Sequence, residues 1–208
     1  MRVNPFKTYS LFQNVNPVIR LLIISDIMML MSRLGLVTPI FAVFITRSIS
    51  GGNLEVVGIS TSIFLLAKSL LQIPASTLID KIKGERDDFW AMFCGTIMIT
   101  VAILLYTVIN APWQLYLVQL LYGAAAAFAF PSWMAIFTRH IDRKHEGLEW
   151  GLYFTMTDLA TAATAAIGGV IAYRYGFTPL FVLACLISSI GLIILYSIKN
   201  NLKSFAKT

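Results

Sequence analysis

Long apolar stretches alternate with short polar linkers along most of the chain. Six such stretches lie at about residues 21–46, 54–79, 89–109, 113–138, 150–173 and 177–198. Each has about 20–26 residues, which lets an α-helix cross a hydrocarbon layer of roughly 30 Å. None alternates as a β-strand does, and a helix satisfies its own backbone hydrogen bonds in lipid. The pattern therefore predicts an all-α membrane protein with six transmembrane helices.

Basic residues collect in every second linker. Segments 1–20, 80–88, 139–149 and 199–208 together hold twelve Lys and Arg, whereas the other three linkers hold two. Short basic loops resist translocation across a membrane, so these four segments and both termini are predicted to be cytoplasmic. We expect residues 1–17 to form a cytoplasmic lead, residues 18–199 the six-helix domain, and residues 200–208 a cytoplasmic tail.

Composition narrows the class of protein further. Hydrophobic residues make up 58% of the chain and charged residues 12%, whereas charged residues are about a quarter of a soluble domain. The net charge of +6 is explained by the cytoplasmic linkers, so we expect the lipid bilayer and not nucleic acid as a partner. No nucleophile elbow, phosphate-binding glycine loop or His/Cys ligand spacing occurs. We therefore expect a multi-pass protein of a bacterial-type plasma membrane, with no enzymatic activity, cofactor or metal.

A shift of 92 residues brings landmarks of the two halves into register. Pro39 then meets Pro131, and Gly84 meets Gly176. An offset of three spans makes the two copies point in opposite directions across the membrane. Such a 3+3 inverted repeat is typical of transporters. Both prolines are expected to bend their helices, either as hinges or as ordinary bends.

Four ionisable residues lie inside the apolar stretches. Arg33 and Lys68 fall near the middle of their spans, Asp158 falls slightly to the cytoplasmic side of the centre, and Asp26 lies closer to the cytoplasm. Each costs about 2.5–3.5 kcal/mol or more in lipid unless it is paired or hydrated. Asp26 and Arg33 are seven residues apart, so they share one face of a helix.

These charges have three interpretations. In the first, Arg33 and Lys68 lie in a polar cavity and bind an anionic group, with Asp26 and Asp158 as counter-ions or proton carriers. In the second, the four residues form internal ion pairs that only fix the packing of helices. In the third, their side chains extend to the membrane surface, which suits Asp26 better than the central residues.

The linker between the second and third stretches carries a recognisable motif. Residues 76–86 read STLIDKIKGER, which resembles the pattern Gly-x-Leu-x-Asp-basic-x-Gly-basic of the major facilitator superfamily, with Ser at the first position and one residue inserted. In that family the Asp and its basic neighbours close the cytoplasmic side of the transporter. The resemblance implies a gating loop formed by Asp80, Lys81, Gly84 and Arg86.

Two further stretches are similar to the same family. Gly123 and Pro131 lie as in its fourth span, and Gln119 occupies the place where the family often has an Arg. Gly168 and Gly169 resemble the end of its fifth span. The resemblance adds Gln119 to the candidate solute pathway. The glycines are candidates for helix packing, because small residues allow helices to approach closely.

Members of this family normally have twelve spans in two halves, related by an axis along the membrane normal. The chain resembles one such half, similar to the N-terminal one. The resemblance implies a secondary transporter that moves a small solute by alternating access, with a homodimer supplying the two halves. The alternatives are a non-transporting membrane subunit or scaffold, and one half of a heteromeric transporter.

Overall fold

The protein is described by a computed structural model that covers residues 15–81, 84–142 and 145–202. Within these ranges it contains no β-strand and six helices that are long and apolar enough to cross a membrane. The helices are α1 (Pro17–Ser48), α2 (Leu54–Lys81), α3 (Arg86–Leu105), α4 (Pro112–His140), α5 (Glu146–Tyr175) and α6 (Phe177–Ile198). The prediction of an all-α fold with six such helices is confirmed. Residues 1–14 of the expected lead and 203–208 of the expected tail lie outside the described residues.

Polar side chains mark the starts of several helices. Asn16 accepts a hydrogen bond from the backbone N–H of Val18 at 2.9 Å, immediately before α1. Asn53 accepts one from Val56 at 2.9 Å at the start of α2. Both bonds satisfy N–H groups that have no partner inside the helix. Their effect is to fix where each helix begins.

Helix α1 is not regular along its length. Its α-helical start, Pro17–Leu30, passes into a π-helical segment, Met31–Val37, and a 3-10 turn, Thr38–Ile40, before α-helix resumes at Phe41–Ser48. Pro39 has no N–H to donate and its ring crowds the preceding turn, which accounts for the interruption. The hydroxyl of Thr38 donates to the backbone oxygen of Arg33 at 2.9 Å and satisfies an acceptor at the break. Arg33 therefore lies on the irregular part of α1.

The contacts between helices follow the internal repeat seen in the sequence. Helices α1 and α4 lie in the middle; α2 packs along α4, and α5 packs along α1. Helix α3 packs on α4, α6 packs on α1, and α3 contacts α6. Exchanging the first three helices with the last three matches the main contacts, α2–α4 with α5–α1 and α3–α4 with α6–α1, as a two-fold axis in the membrane plane requires. The predicted 3+3 inverted repeat is confirmed.

Glycines permit the closest helix crossings, and they do so at corresponding points of the two repeats. A Cβ added to Gly123 of α4 would lie 2.5 Å from the backbone of α2, and one added to Gly35 of α1 would lie 2.0 Å from the Thr164 hydroxyl of α5. A Cβ added to Gly95 of α3 would lie 2.9 Å from the backbone of α4, and one added to Gly191 of α6 would lie 3.0 Å from the backbone of α1. Small residues at these crossings bring the helix backbones into contact.

Two hydrophobic cores lie at opposite ends of the bundle. One surrounds Phe44, Tyr106 and Phe181. The other surrounds Phe137 and Tyr153, at the end where α1 and α5 begin. We call this second end the basic end, because it contains the linkers rich in Lys and Arg. The layer between the two cores is where polar side chains enter the bundle.

Candidate functional site

A cavity of about 130 Å³ lies between the two cores. All six helices contribute to its wall. The side chains with polar groups that line it are Asp26, Arg33, Lys68, Thr96, Tyr122, Trp133, Tyr153 and Ser188. Its volume suits several water molecules or one small polar group of a solute. The cavity is therefore a polar site within an otherwise apolar bundle.

Three of these residues form one cluster. The Tyr153 hydroxyl of α5 donates to Oδ2 of Asp26 at 2.6 Å. Nη2 of Arg33 lies 4.0 Å from Oδ1 of the same carboxylate, so the ion pair is loose. Arg33 also interacts with the Tyr122 side chain of α4, while its Nε is buried and has no hydrogen-bond acceptor among the described residues. Asp26 thus neutralises Arg33 without occupying all of its donors.

Lys68 lines the same cavity from α2. It is half-buried, and its ammonium lies 5.1 Å from the centre of the Phe130 ring, within the range of a cation–π interaction. In the ranges that the structure covers, Lys68 has no carboxylate within ion-pair distance. The charged groups that line the cavity are therefore two cations and one carboxylate. An acceptor-rich, anionic group would complement them.

Two of the residues predicted for the pathway lie elsewhere. Asp158 is exposed on the outer face of α5 and is not part of the cavity wall. Gln119 is buried in α4, where its Oε1 accepts a hydrogen bond from the Tyr106 hydroxyl at 3.4 Å. Gln119 lines a second pocket, of about 420 Å³, toward the end opposite the basic end.

The second pocket and the central cavity are separated by a thin layer of side chains. Arg33, Phe64 and Tyr122 line both spaces. These three residues come from α1, α2 and α4. These three side chains therefore lie between the two spaces. We call this layer the septum.

The predicted gating loop lies at the basic end. Asp80 and Lys81 are exposed at the end of α2, and Arg86 is exposed at the start of α3. Between them Gly84 has a φ of +152°, a conformation that favours glycine. Asp80 lines a cleft of about 520 Å³ between α2 and α4. These placements put the loop at the mouth of a cleft, on the same side as the linkers rich in basic residues.

The polar contacts at this end involve Asp88, Arg139 and His140, which lie outside the motif, and Glu85, which lies within it. Arg139 of α4 donates to Oδ2 of Asp88 of α3, whose side chain is only 1% exposed. Next to this pair, Nε2 of His140 lies 3.6 Å from Oε1 of Glu85, and both side chains are buried. Sequence analysis did not identify these partners, although four acidic residues within nine positions of the linker were a signal. The pairs hold the start of α3 against the end of α4.

The residues predicted for helix packing and bending have different surroundings. Gly123 and Gly168 lie at close helix crossings. A Cβ added to Gly168 would lie 3.1 Å from the Cα of Leu36, whereas the space around Gly169 is open. Pro131 lies inside α4 and lines the cleft at the basic end. Pro39 lies in the 3-10 turn of α1.

Tyr153 of the charged cluster was not predicted from the sequence, and neither were Thr96 and Ser188 of the cavity wall. It lies seven residues from the start of α5, and Asp26 lies nine residues from the start of α1, so the two are at similar depths from the basic end. A tyrosine at the depth of an intramembrane carboxylate was the available signal. Depth alone leaves open which way each side chain points around its helix.

The fold and the cavity define a class: a multi-pass, inverted-repeat membrane protein with a charged site at its centre. The sequence model of the Major Facilitator Superfamily matches residues 22–205, and the chain belongs to this family. In the described part of the chain there is no group of three His, Cys, Asp or Glu residues that could hold a metal ion.

Two curated relatives carry transporter names. An uncharacterised MFS-type transporter of Methanocaldococcus jannaschii is 26% identical over 162 residues, which cover 78% of this chain and 40% of the relative. A quinolone resistance transporter of Acinetobacter baumannii is 28% identical over 131 residues, which cover 60% of this chain and 29% of the relative. The chain therefore spans less than half the length of either of these relatives. It is an integral, multi-pass membrane protein of a transporter family.

Proposed function

We propose that the chain is a secondary transporter that moves a small solute across a bacterial-type plasma membrane by alternating access. The observation that carries the proposal is the central cavity, where Arg33 and Lys68 line one space together with a single carboxylate, Asp26. Charges at this depth are costly, so a protein that served only as a scaffold would gain stability by replacing them. Their retention favours a role in binding.

The solute is proposed to be anionic. Arg33 and Lys68 give the cavity one positive charge more than Asp26 balances, and the buried Nε1 of Trp133 is a further donor without an acceptor among the described residues. Donors in a medium of low dielectric constant favour a carboxylate or phosphate group strongly. Asp26 acts in this proposal as a counter-ion that the solute replaces.

Alternating access is proposed to use the septum and the basic end as its two barriers. Opening the septum of Arg33, Phe64 and Tyr122 would join the cavity to the pocket on the far side. The other barrier includes the loop of Asp80, Lys81, Gly84 and Arg86, which borders the cleft between α2 and α4. Pro39, in the 3-10 turn of α1, and Pro131, inside α4, are proposed to let the helices bend next to these two regions.

A homodimer is proposed to form the complete transporter. Helices α2 and α5 are the least buried of the six helices. In the most apolar 18-residue stretch of each, only 17% of the residues are buried inside the bundle. Both flank the central pair α1 and α4, so a second copy placed against them would enclose the cavity. The lengths of the relatives, more than twice the matched region, also support a partner half. That same length ratio favours the second candidate, a subunit that joins or regulates a different six-helix half.

The first experiment is a search for the solute. Purified chain in nanodiscs is screened by thermal shift at two pH values against inorganic phosphate, benzoate, glucose, glutamate and a quinolone antibiotic, the last because of the relative's name. We expect an anionic member to raise the melting temperature. Stabilisation by glucose alone would contradict an anionic solute.

The same assay tests the cavity with a matched pair of variants. Lys68→Ala removes a cavity cation, whereas Arg47→Ala removes an exposed cation at the end of α1. We expect Lys68→Ala to weaken binding of the stabilising anion at least tenfold while the free protein remains folded. If Lys68→Ala instead unfolds the protein, the structural ion-pair interpretation is supported.

A further inference from the structure

We propose that Lys68 of one copy pairs near the membrane centre with Asp158 of a second copy, so that the partner supplies a carboxylate to the cavity. This inference rests on the homodimer of the proposed function and adds its contact residues. Two unpaired charges carry it. Lys68 contacts the ring of Phe130, and no ion pair or hydrogen bond to Asp158 occurs within the described residues. A charged group at this depth is costly unless it is paired or hydrated, so an oppositely charged partner would stabilise each of these two groups.

The two charges lie at the same depth. Lys68 is 13 residues from the end of α2 at Lys81, and Asp158 is 12 residues from the start of α5 at Glu146. Both of these helix ends are at the basic end. At about 1.5 Å per residue the two positions lie roughly 20 and 18 Å from it. A parallel arrangement of two copies therefore brings the two side chains to one level.

The symmetry of a parallel dimer pairs the two helices. Helices α2 and α5 flank the central pair, and their sides away from the bundle are exposed. A two-fold axis along the membrane normal can pass between the exposed α2 and α5 sides of two copies. Such an axis places α2 of one copy opposite α5 of the other. The contact is isologous, so it occurs twice in each dimer. Two Lys68–Asp158 pairs result, and each cavity receives one carboxylate from its partner.

The surroundings of Asp158 allow a helix to come close. Several exposed residues on the Asp158 side of α5 are small, namely Gly151, Thr155, Ala162, Ala166 and Gly169, although the neighbouring Phe154 and Leu159 are large and exposed. A Cβ added at Gly151 or Gly169 would have no neighbour within 4 Å, so these positions are open in the single copy. Small residues permit close packing of transmembrane helices. The long side chain of Lys68 then has only a short gap to cross.

The central cavity also gains charge balance from this contact. Within one copy Asp26 compensates Arg33, and Lys68 is left over. With the partner's Asp158 each cation has a carboxylate. An anionic solute would then replace both carboxylates as ligands of the two cations.

Charge exchange tests the pair. Lys68→Asp and Asp158→Lys each place like charges opposite one another, and the double variant restores opposite charges. Dimer fraction is measured by resonance energy transfer between two differently labelled copies in vesicles of bacterial phospholipid. We expect each single variant to reduce the dimer fraction at least fivefold and the double variant to recover it to within twofold. Unchanged dimers in the single variants, or no recovery in the double variant, would overturn the proposal.

Cysteine crosslinking tests the same contact even if a charge variant folds poorly. In a background of Cys94→Ser and Cys185→Ala, chains with Lys68→Cys are co-expressed with differently tagged chains that carry Asp158→Cys. We expect an oxidant to link the two tags. The control pairs Lys68→Cys with Tyr173→Cys, which is also exposed on α5 but lies about 22 Å along the helix from position 158, and should remain unlinked.

The outcomes separate this inference from the function on which it rests. Dimers that transport solute but do not link positions 68 and 158 overturn the pairing and leave the proposed transporter intact. Linked dimers that move no solute support the pairing and contradict transport. Chains that form no dimer contradict the pairing and the homodimer together.

Discussion

At the scale of residues, the surroundings of Asp26 show how the bundle holds a carboxylate away from water. One carboxylate oxygen accepts a hydrogen bond from the Tyr153 hydroxyl, and the other lies 4.0 Å from Nη2 of Arg33. A buried polar group without such partners destabilises a fold strongly. Because the ion pair is long, the same arrangement leaves Arg33 able to bind a second acceptor. Structure and binding capacity thus reside in one cluster.

Removing the two partners separately should have unequal effects. Tyr153→Phe deletes one interhelical hydrogen bond and should cost about 1–2 kcal/mol of unfolding free energy. Asp26→Asn keeps an acceptor for Tyr153 but leaves Arg33 uncompensated, and should cost roughly 3 kcal/mol. Reversible unfolding in mixed micelles measures both. A larger loss for Tyr153→Phe than for Asp26→Asn would show that charge compensation is not what stabilises this cluster.

Residue depth could be predicted from sequence, and residue direction could not. Arg33 and Lys68 were expected near the membrane centre, and the structure places both on one cavity. Asp158 has a similar depth but lies on the outer face of α5. The difference is a rotation about the helix axis, which the packing of neighbouring helices sets. Spacing along one span contains no information about that packing.

At the scale of helices, the close crossings depend on glycine. An alanine methyl at Gly123 would lie 2.5 Å from a backbone oxygen of α2, which cannot move without the helix. The helices must then separate by a fraction of an ångström along their length. Gly58 of α2, by contrast, has open space around it.

These two positions form a matched pair of substitutions. Gly123→Ala should destabilise the protein by about 1–3 kcal/mol because it overpacks the crossing of α2 and α4. Gly58→Ala should be neutral or stabilising by less than about 1 kcal/mol, because alanine favours a helix. Thermal unfolding of the two variants in the same detergent measures the difference. Equal melting temperatures would contradict close packing at Gly123.

An ion pair joins the start of α3 to the end of α4, and its two side chains differ in exposure to solvent. Asp88 is almost fully buried, whereas the Arg139 side chain is 40% exposed. Arg139→Gln leaves a buried carboxylate without its cation and should cost roughly 3 kcal/mol. Asp88→Asn leaves only a cation that water can reach, and should cost less. In a double-mutant cycle, the double variant should resemble Asp88→Asn; simple additivity of the two losses would rule out a direct pair.

At the scale of the whole molecule, lipid makes the architecture readable from sequence. The bilayer requires helices of a set length, so six apolar stretches predict six spans. The repeat was detectable because Gly84 and Gly176 precede corresponding helices, and both have positive φ in the structure. The acidic linker was visible in the sequence, but the pairing of Asp88 with Arg139 was not predictable, because these residues are 51 positions apart and meet only through the packing of two helices.

The alternation of basic linkers predicts that the basic end faces the cytoplasm. In a background of Cys94→Ser and Cys185→Ala, Ser50→Cys lies between α1 and α2, and His145→Cys lies before α5; both positions are exposed. A membrane-impermeant maleimide added to intact cells should label Ser50→Cys and leave His145→Cys unlabelled until the membrane is permeabilised. The reverse labelling pattern would invert the topology.

The central claim is that the charged cavity binds a solute and carries it across the membrane. The most direct measurement is uptake of the anion found by thermal shift into proteoliposomes that contain the purified chain. We expect saturable uptake by the wild type and by Arg47→Ala, and at least a tenfold lower rate for folded Lys68→Ala. Dimers that bind the anion but show no uptake above protein-free vesicles, in either direction of gradient, would contradict it.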